Sequence, residues 1–233
     1  MTHAEMPNSE GDLFELVRRE LSSAVVGDVM DRMGLQHQFL PPRIQPLRED
    51  MILVGRAMPV LTVDVYAESL AGTANSLMER PYGLLFEALD ALRPHDVYIC
   101  TGSSPRYALW GELLTARAIR LGAAGAVLNG YVRDTRGILR QGFSTFCVGR
   151  YAQDQGPRGK VVDYRVPIEI DGVRIEPGDV VFGDLDGVCI VPRNVEREVV
   201  AQSLIKLRDE SLVRRAFEDG VSASEAYKRF RVM

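Results

Sequence analysis

The chain has 233 residues, 46% of them apolar, with 28 Lys plus Arg against 32 Asp plus Glu and a net charge of −4. That apolar share is enough for a core and excludes a disordered chain, and the length suits one large domain with extensions. The near balance of charge argues against a nucleic-acid groove, which needs a clustered cationic face, but leaves room for a local basic pocket that takes a small anion.

The first twelve residues are polar and read as a flexible end. They carry no basic segment followed by an apolar run, as a signal peptide would, and no apolar stretch in the chain reaches the ~18–20 residues of a membrane span. Leu13, Leu16, Val17 and Leu21 form the stripe of a first helix. Ser23 is placed to cap a second helix over 24–33, which Gly34 ends. A proline-rich loop over 41–50 leads to a strand over 52–63. Residues 64–80 read as a polar loop, 84–92 as a helix and 97–100 as a buried strand. Trp110, Leu113, Leu114, Ala118 and Leu121 fall at helical spacing. A short strand over 126–128 runs into Asn129-Gly130. A small helix over 135–140 and a strand over 145–148 follow. The last third is β-rich: 161–170 alternates, Asp171-Gly172 is a hairpin turn before 173–175, and 180–182 pairs with 188–191 across Gly183–Gly187. Asn194 is placed to cap a long helix reaching about Phe217. Ser222 and Glu225 have capping-box spacing for a final short helix.

Scarce residues narrow the chemistry. The three histidines, His3, His37 and His95, are far apart in the sequence, which excludes an HExxH zinc site. Cys100, Cys147 and Cys189 are odd in number and sit in apolar runs, as reduced core residues of a cytoplasmic protein do. A metal, if used, must draw its ligands mainly from carboxylates and water, which points to Mg²⁺ or Mn²⁺.

Twenty residues separate Glu112 from Arg133, and Asp134 follows directly. A helix from about 111 to 121 rises ~16 Å, and a strand from about 126 to 131 covers ~20 Å. The chain therefore goes out along a helix and returns along a strand, and Glu112 meets Arg133-Asp134 at one edge. The unpartnered N–H groups near Gly111, Leu113 and Leu114 can cradle a carboxylate. Gly111 permits close approach of a ligand, and Arg133 offers a guanidinium fork. Asp134 and Glu112 offer hard oxygen ligands. An anion cradle, a guanidinium and a metal carboxylate are what stabilising an enolate requires. The bland reading of the same residues is a salt bridge at a strand end and a helix-dipole glutamate.

Gly111-Glu112, the twenty-residue gap and Arg133-Asp134 resemble the [D/E]-x20-R-D signature of the RraA-like family. That family includes 4-hydroxy-4-methyl-2-oxoglutarate and 4-carboxy-4-hydroxy-2-oxoadipate aldolases. SSAVVGDVMDRMG, LPPRIQPLRED with LVGRAMPV, and PGDVVFGDLDGVCIVPR are similar to its N-terminal pattern and C-terminal hairpin. The resemblance implies an α/β fold, an αββα sandwich of the phosphohistidine-swivelling-like type, with a flexible end over 1–12, one domain over 13–205 and a helical extension over 206–233. It implies a metal-dependent pyruvate aldolase with oxaloacetate decarboxylase side activity, acting on a small 2-oxo acid as a homotrimer or homohexamer. Arg133 would bind the pyruvyl carbonyl oxygen and stabilise the enolate. Asp134 would hold Mg²⁺ or Mn²⁺ partly through water, and Glu112 would position a water of the metal. The N–H groups of Leu113 and Leu114, beside Gly111, would take the substrate carboxylate. Family aldolases commonly carry Asp where this chain has Glu112. A neighbouring subunit contributes a glutamate in some of them, and Glu196, Glu198 and Glu210 lie in a helix that could supply one. The alternatives are a protein-binding regulator of the ribonuclease-inhibitor type and a related 2-oxo or sugar-acid enzyme.

Among other candidates, Asp184 and Asp186 could ligate a cation, although a polar turn explains them better. Tyr131 could line the site or simply pack. The loops that would read the second product fragment, 64–80 and 149–160, carry no recognisable code.

Overall fold

The structure, a computed structural model, describes residues 7–66 and 74–231. His3 and part of the expected 64–80 loop lie outside the described residues. Two helices open the fold, α1 (Glu10–Glu20) and α2 (Ser23–Arg32). Strands β1 (Gln45–Pro46) and β2 (Leu53–Asp64) follow, then α3 (Leu85–Asp90), β3 (Asp96–Thr101), β4 (Ala108–Trp110), α4 (Glu112–Arg120), β5 (Gly125–Val132), α5 (Thr135–Gln141) and β6 (Ser144–Arg150). The β-rich part comprises β7 (Gly159–Tyr164), β8 (Ile168–Ile170), β9 (Val173–Ile175), β10 (Val180–Asp184) and β11 (Gly187–Val191), and α6 (Glu196–Glu218) and α7 (Ala223–Phe230) end the chain.

The main sheet runs β1-β6-β5-β3-β2-β10-β11, with β4 beside β5 and β7 beside β2. Its centre, β2-β3-β5-β6, is parallel. The flanking pairs β1·β6, β2·β10 and β10·β11 are antiparallel. Just before β1, Leu40 N–H donates to Val188 C=O at 2.9 Å and Gln38 C=O accepts from Ile190 N–H at 2.8 Å. One segment therefore touches both ends of the sheet and nearly closes it. The two sheets expected of an αββα sandwich are joined here as one path, and the α/β class with helical ends holds.

Two cores stabilise this layout. The larger packs Leu53, Tyr98, Ile99, Trp110, Val127, Leu128 and Phe146 between the parallel strands and α3–α5. The smaller packs Phe14, Val17, Val29 and Met30 of the N-terminal helices against Phe182 and Cys189 of the hairpin and Val199 and Val200 of α6. Each such aliphatic or aromatic side chain contributes about 1.5–3 kcal/mol on burial.

Several boundaries differ from the sequence reading, each for a physical reason. Helix α1 starts at Glu10, because the Ser9 hydroxyl accepts from Asp12 N–H at 3.1 Å. Ser22, not Ser23, caps α2. Ser23 is engaged by the hairpin turn instead: its N–H and hydroxyl both donate to the Asp184 carboxylate at 2.7 Å. Asp184 is thereby a structural tie rather than a free cation ligand. Trp110 belongs to β4 and not to the following helix. Its indole N–H donates to Thr115 Oγ1 at 2.8 Å, and its ring packs 4.8 Å from Tyr98. The alternation over 161–170 breaks at Arg165, whose φ of 56° ends β7. Helix α6 runs uninterrupted past residue 205.

Candidate active site

Strands β4 and β5 are parallel, with Trp110 paired to Val132, and α4 is the connection between them. The helix start and the strand end therefore share one edge. Arg133 N–H donates to Trp110 C=O at 2.9 Å, which fixes Gly111 beside Arg133. The first turn of α4 has no side-chain cap. Its first closing bond is Thr115 N–H to Gly111 C=O at 3.1 Å, so the N–H groups of Leu113 and Leu114 lack an i−4 partner within the helix. A Cβ at Gly111 would lie 3.0 Å from Asp134 Oδ2 and 3.4 Å from Arg133 Cγ. A side chain there would fill the space between the helix start and these two groups.

Arg133 is held on two sides. Its Nη1 lies 2.9 Å from Asp154 Oδ1, and its Nε lies 3.7 Å from Asp134 Oδ2. The other Asp154 oxygen accepts from the Tyr82 hydroxyl at 3.3 Å and from Gly156 N–H at 3.0 Å. Burial, and then the Asp154 carboxylate, push the Tyr82 phenol above its ordinary pKa, so it remains a donor at neutral pH. Asp134 takes a left-handed φ of 53° where β5 turns into α5. Asp tolerates that conformation better than most residues, and such strained positions concentrate at functional sites.

These groups surround a cavity of about 190 Å³. Gly111, Leu113, Leu114, Arg133 and Asp134 line it together with Tyr82, Leu85, Phe86, Asp154 and Gln155. Five of the six sequence-derived site residues thus meet at one cavity. The sixth, Glu112, stands just outside it, over α5. Its Oε1 is 3.4 Å from Arg140 Nη2, and a Cβ at Gly137 would fall 2.1 Å from its Cδ. Sequence reasoning singled out none of Tyr82, Asp154 and Gln155, although it expected the 149–160 loop, which carries the last two, to face the substrate. Asp154 and Gln155 follow β6, the parallel neighbour of β5, so the strand order is the signal that places them here.

Other candidates lie elsewhere. Tyr131 lines a separate cavity with Arg43, Ser103 and Asn129. Within the chain Glu196 pairs with Arg56, Glu210 pairs with Lys206, and Glu198 accepts from Gln202. His37 is exposed, and His95 packs edge-on against Phe14 at 5.7 Å. Burial pushes the thiol of Cys100 up to about 12 and that of Cys147 to about 11, and raises Cys189 further, so all three are inert at neutral pH. Among the described residues no three His, Cys, Asp or Glu side chains gather as a metal cage. Of the two carboxylates at the cavity, Asp154 is paired with Arg133 at 2.9 Å, and Asp134, half exposed at 52%, is the one less engaged. That donor set fits a cation such as Mg²⁺, which is bound through one or two carboxylates and keeps several of its waters.

Fold and cavity together define a small α/β protein with an uncapped helix start, a clamped guanidinium and two carboxylates at a sheet edge. The chain belongs to the RraA-like family, described as Aldolase/RraA, which its residues 23–190 match. It is 32% identical over 212 residues to a Halalkalibacterium halodurans protein named as a putative 4-hydroxy-4-methyl-2-oxoglutarate aldolase, covering 90% of each chain. It is 28% identical to protein DlpA of Legionella pneumophila over 88% of this chain, a match that spans only 32% of that longer relative. Among solved structures, an uncharacterised Pseudomonas syringae protein shares the fold with a TM-score of 0.81 at 23% identity over 97% of both chains. Streptomyces coelicolor RraAS2, described as an unusual member of the RNase ES inhibitor RraA family, has a TM-score of 0.75 at 24% identity, over 89% of this chain and 98% of that one.

Proposed function

We propose that the chain is a divalent-metal-dependent pyruvate aldolase. It cleaves a 4-hydroxy-2-oxo acid of the 4-hydroxy-4-methyl-2-oxoglutarate or 4-carboxy-4-hydroxy-2-oxoadipate type to pyruvate, and it decarboxylates oxaloacetate as a side activity. The observation that carries this reading is the Arg133 guanidinium, held by Asp154 at 2.9 Å beside the uncapped first turn of α4. Family membership and the name of the H. halodurans relative support it.

The chain's own groups divide the work. The N–H groups of Leu113 and Leu114 bind the substrate carboxylate. Arg133 donates to the ketone oxygen at C2, where negative charge grows as the C3–C4 bond breaks. The 4-hydroxyl gives up its proton to water, and C3 takes one back to become the methyl group of pyruvate. Oxaloacetate loses CO₂ through the same charge development. Asp134 would hold Mg²⁺ or Mn²⁺, which when bound supplies Lewis-acid polarisation of the 2-oxo acid. Glu112 orients water at this edge. The protein acts in the cytoplasm as a homotrimer or homohexamer.

The test follows pyruvate from oxaloacetate and from 4-hydroxy-4-methyl-2-oxoglutarate, with Mg²⁺ or with chelator. Turnover is expected only with metal, and Arg133→Ala should lower kcat by about 10²–10³-fold. No metal-dependent pyruvate release, together with an inert Arg133→Ala change, would overturn the enzyme reading. A protein-binding regulator, the class to which the name of the S. coelicolor relative points, would then take its place.

A further inference from the structure

Four side chains lining the cavity carry a hydrogen-bond donor: Tyr82, Trp110, Arg133 and Gln155. Three of them are engaged within the fold. The Tyr82 hydroxyl donates to Asp154, the Trp110 indole N–H to Thr115 Oγ1, and Arg133 Nη1 pairs with the Asp154 carboxylate. Gln155 is the exception. It is 4% exposed, and among the described residues its Nε2 has no partner. Its backbone is fixed all the same, because its carbonyl accepts from Arg158 N–H at 2.7 Å and from Gly159 N–H at 2.9 Å. Folding thus holds an amide donor at the cavity and gives it nothing to bond. Nearly all buried polar groups are paired, so an orphan beside a cavity points to a ligand atom. Arg133 offsets the charge of the adjacent Asp154, which leaves Gln155 a neutral donor in a balanced setting.

We infer that Gln155 Nε2 donates to the 4-oxygen of the substrate and stabilises it while the C3–C4 bond breaks. The inference rests on the aldolase reading, which gives the C1 carboxylate to the helix start and the C2 oxygen to Arg133 and leaves the C4 end without a donor. In the step itself the 4-hydroxyl passes its proton to water, the C3–C4 electron pair moves to C2–O, and C4–O becomes the carbonyl of the second product. C3 then takes a proton from water, which balances the one released. Negative charge builds on the 4-oxygen as its proton leaves, and a fixed amide N–H holds that oxygen more strongly than it holds the resting hydroxyl. Oxaloacetate has no 4-hydroxyl. Its C4 carboxylate gives up charge as CO₂ forms, so the same donor favours its bound state over its transition state.

The two reactions share one enolate and differ at C4, so their ratio isolates this contact. Gln155→Met keeps the length of the side chain and removes the N–H. The kcat for 4-hydroxy-4-methyl-2-oxoglutarate cleavage, divided by the kcat for oxaloacetate decarboxylation with Mg²⁺ present, should fall at least about tenfold, as expected for one lost hydrogen bond to a charged group. Gln155→Leu should lower the ratio in the same way. Both variants should melt no lower than the parent, since Nε2 contributes no bond to the fold. Variants that melt well below the parent would mark the amide as structural and overturn the inference. So would a ratio that neither variant moves, whether both reactions slow equally or not at all. A parent that releases no pyruvate from the hydroxy acid sinks the aldolase reading and this contact with it, whereas a parent that cleaves it with an unmoved ratio in the variants sinks this contact alone.

Discussion

Glu112 is the sequence-derived residue whose place is set most delicately. Its carboxylate lies over Gly137, in contact range of Arg140, and only a glycine leaves that space open. Alanine at 137 would gain up to about 1 kcal/mol of helix propensity, but its Cβ would occupy a point 2.1 Å from Glu112 Cδ. The far end of a flexible side chain yields more readily than backbone, so Gly137→Ala should displace the carboxylate and leave the fold intact. The expected result is a Tm within ~4 °C of the parent, about what a 1 kcal/mol change produces in a chain of this size. Pyruvate release should fall tenfold or more, and Gly137→Ala combined with Glu112→Ala should be no slower than Glu112→Ala alone, since both act through one group. Unchanged turnover would reduce Glu112 to a partner of Arg140. Glu112, Arg133 and Asp134 are legible in the sequence because they sit at adjoining ends of consecutive elements, where matched lengths bring them together. Asp154 is not, because the loop that carries it meets Arg133 only through the β5·β6 pairing, and no spacing along the chain encodes strand order.

At the scale of elements, one side chain ties three of them. Arg56 of β2 is 11% exposed. It donates from Nη2 to Glu196 of α6 at 3.0 Å and from Nε to Glu10 of α1 at 2.6 Å, and its guanidinium lies 5.2 Å from the Phe14 ring centroid. Burial works against the guanidinium charge, and the two carboxylates more than offset it, so the Arg56 pKa is raised. Removing Glu196 leaves Arg56 the half-exposed Glu10 and the Gly178 carbonyl as partners. Glu196→Ala should therefore cost about 2 kcal/mol, the value of hydrogen bonds to a charged group, seen as a lower urea midpoint at unchanged m-value, whereas Glu15→Ala, in an exposed pair on α1, should change little. A midpoint shift no larger than that of Glu15→Ala would show that the node is only a surface pair. The helices it joins are readable from apolar periodicity, and Ser222 caps α7 as its spacing predicts, accepting from Glu225 N–H at 3.3 Å. Strand β4 is not readable, because Trp110 lies three and four residues from Leu113 and Leu114 and so mimics a helix face. The break after β7 is hidden too, since side-chain alternation carries no record of the left-handed backbone at Arg165.

For the whole molecule, the surface poses a question that the single chain leaves open. Leu113 is 83% exposed and Phe86 53% exposed at the cavity mouth, and Ile205 and Leu212 of α6 are 54% and 47% exposed. Scattered apolar side chains are ordinary, but a leucine projecting from the first turn of a helix beside a substrate cavity has a specific cost: water stays in the mouth where charge must develop, and a high dielectric weakens the pull of Arg133 on that charge. A second chain seated over the mouth removes that water. If the surface that covers one mouth differs from the mouth itself, each contact is head-to-tail, and three such contacts close a ring. Light scattering should then give three or six times the chain mass of 25.9 kDa. Pyruvate release per chain should fall in step with dissociation on dilution, since an uncovered mouth is a wet one. A 25.9 kDa species with undiminished turnover would refute the ring. In that case the water around Leu113 would have to be excluded by the substrate itself, and kcat/KM should rise with the apolar bulk of its C4 substituent.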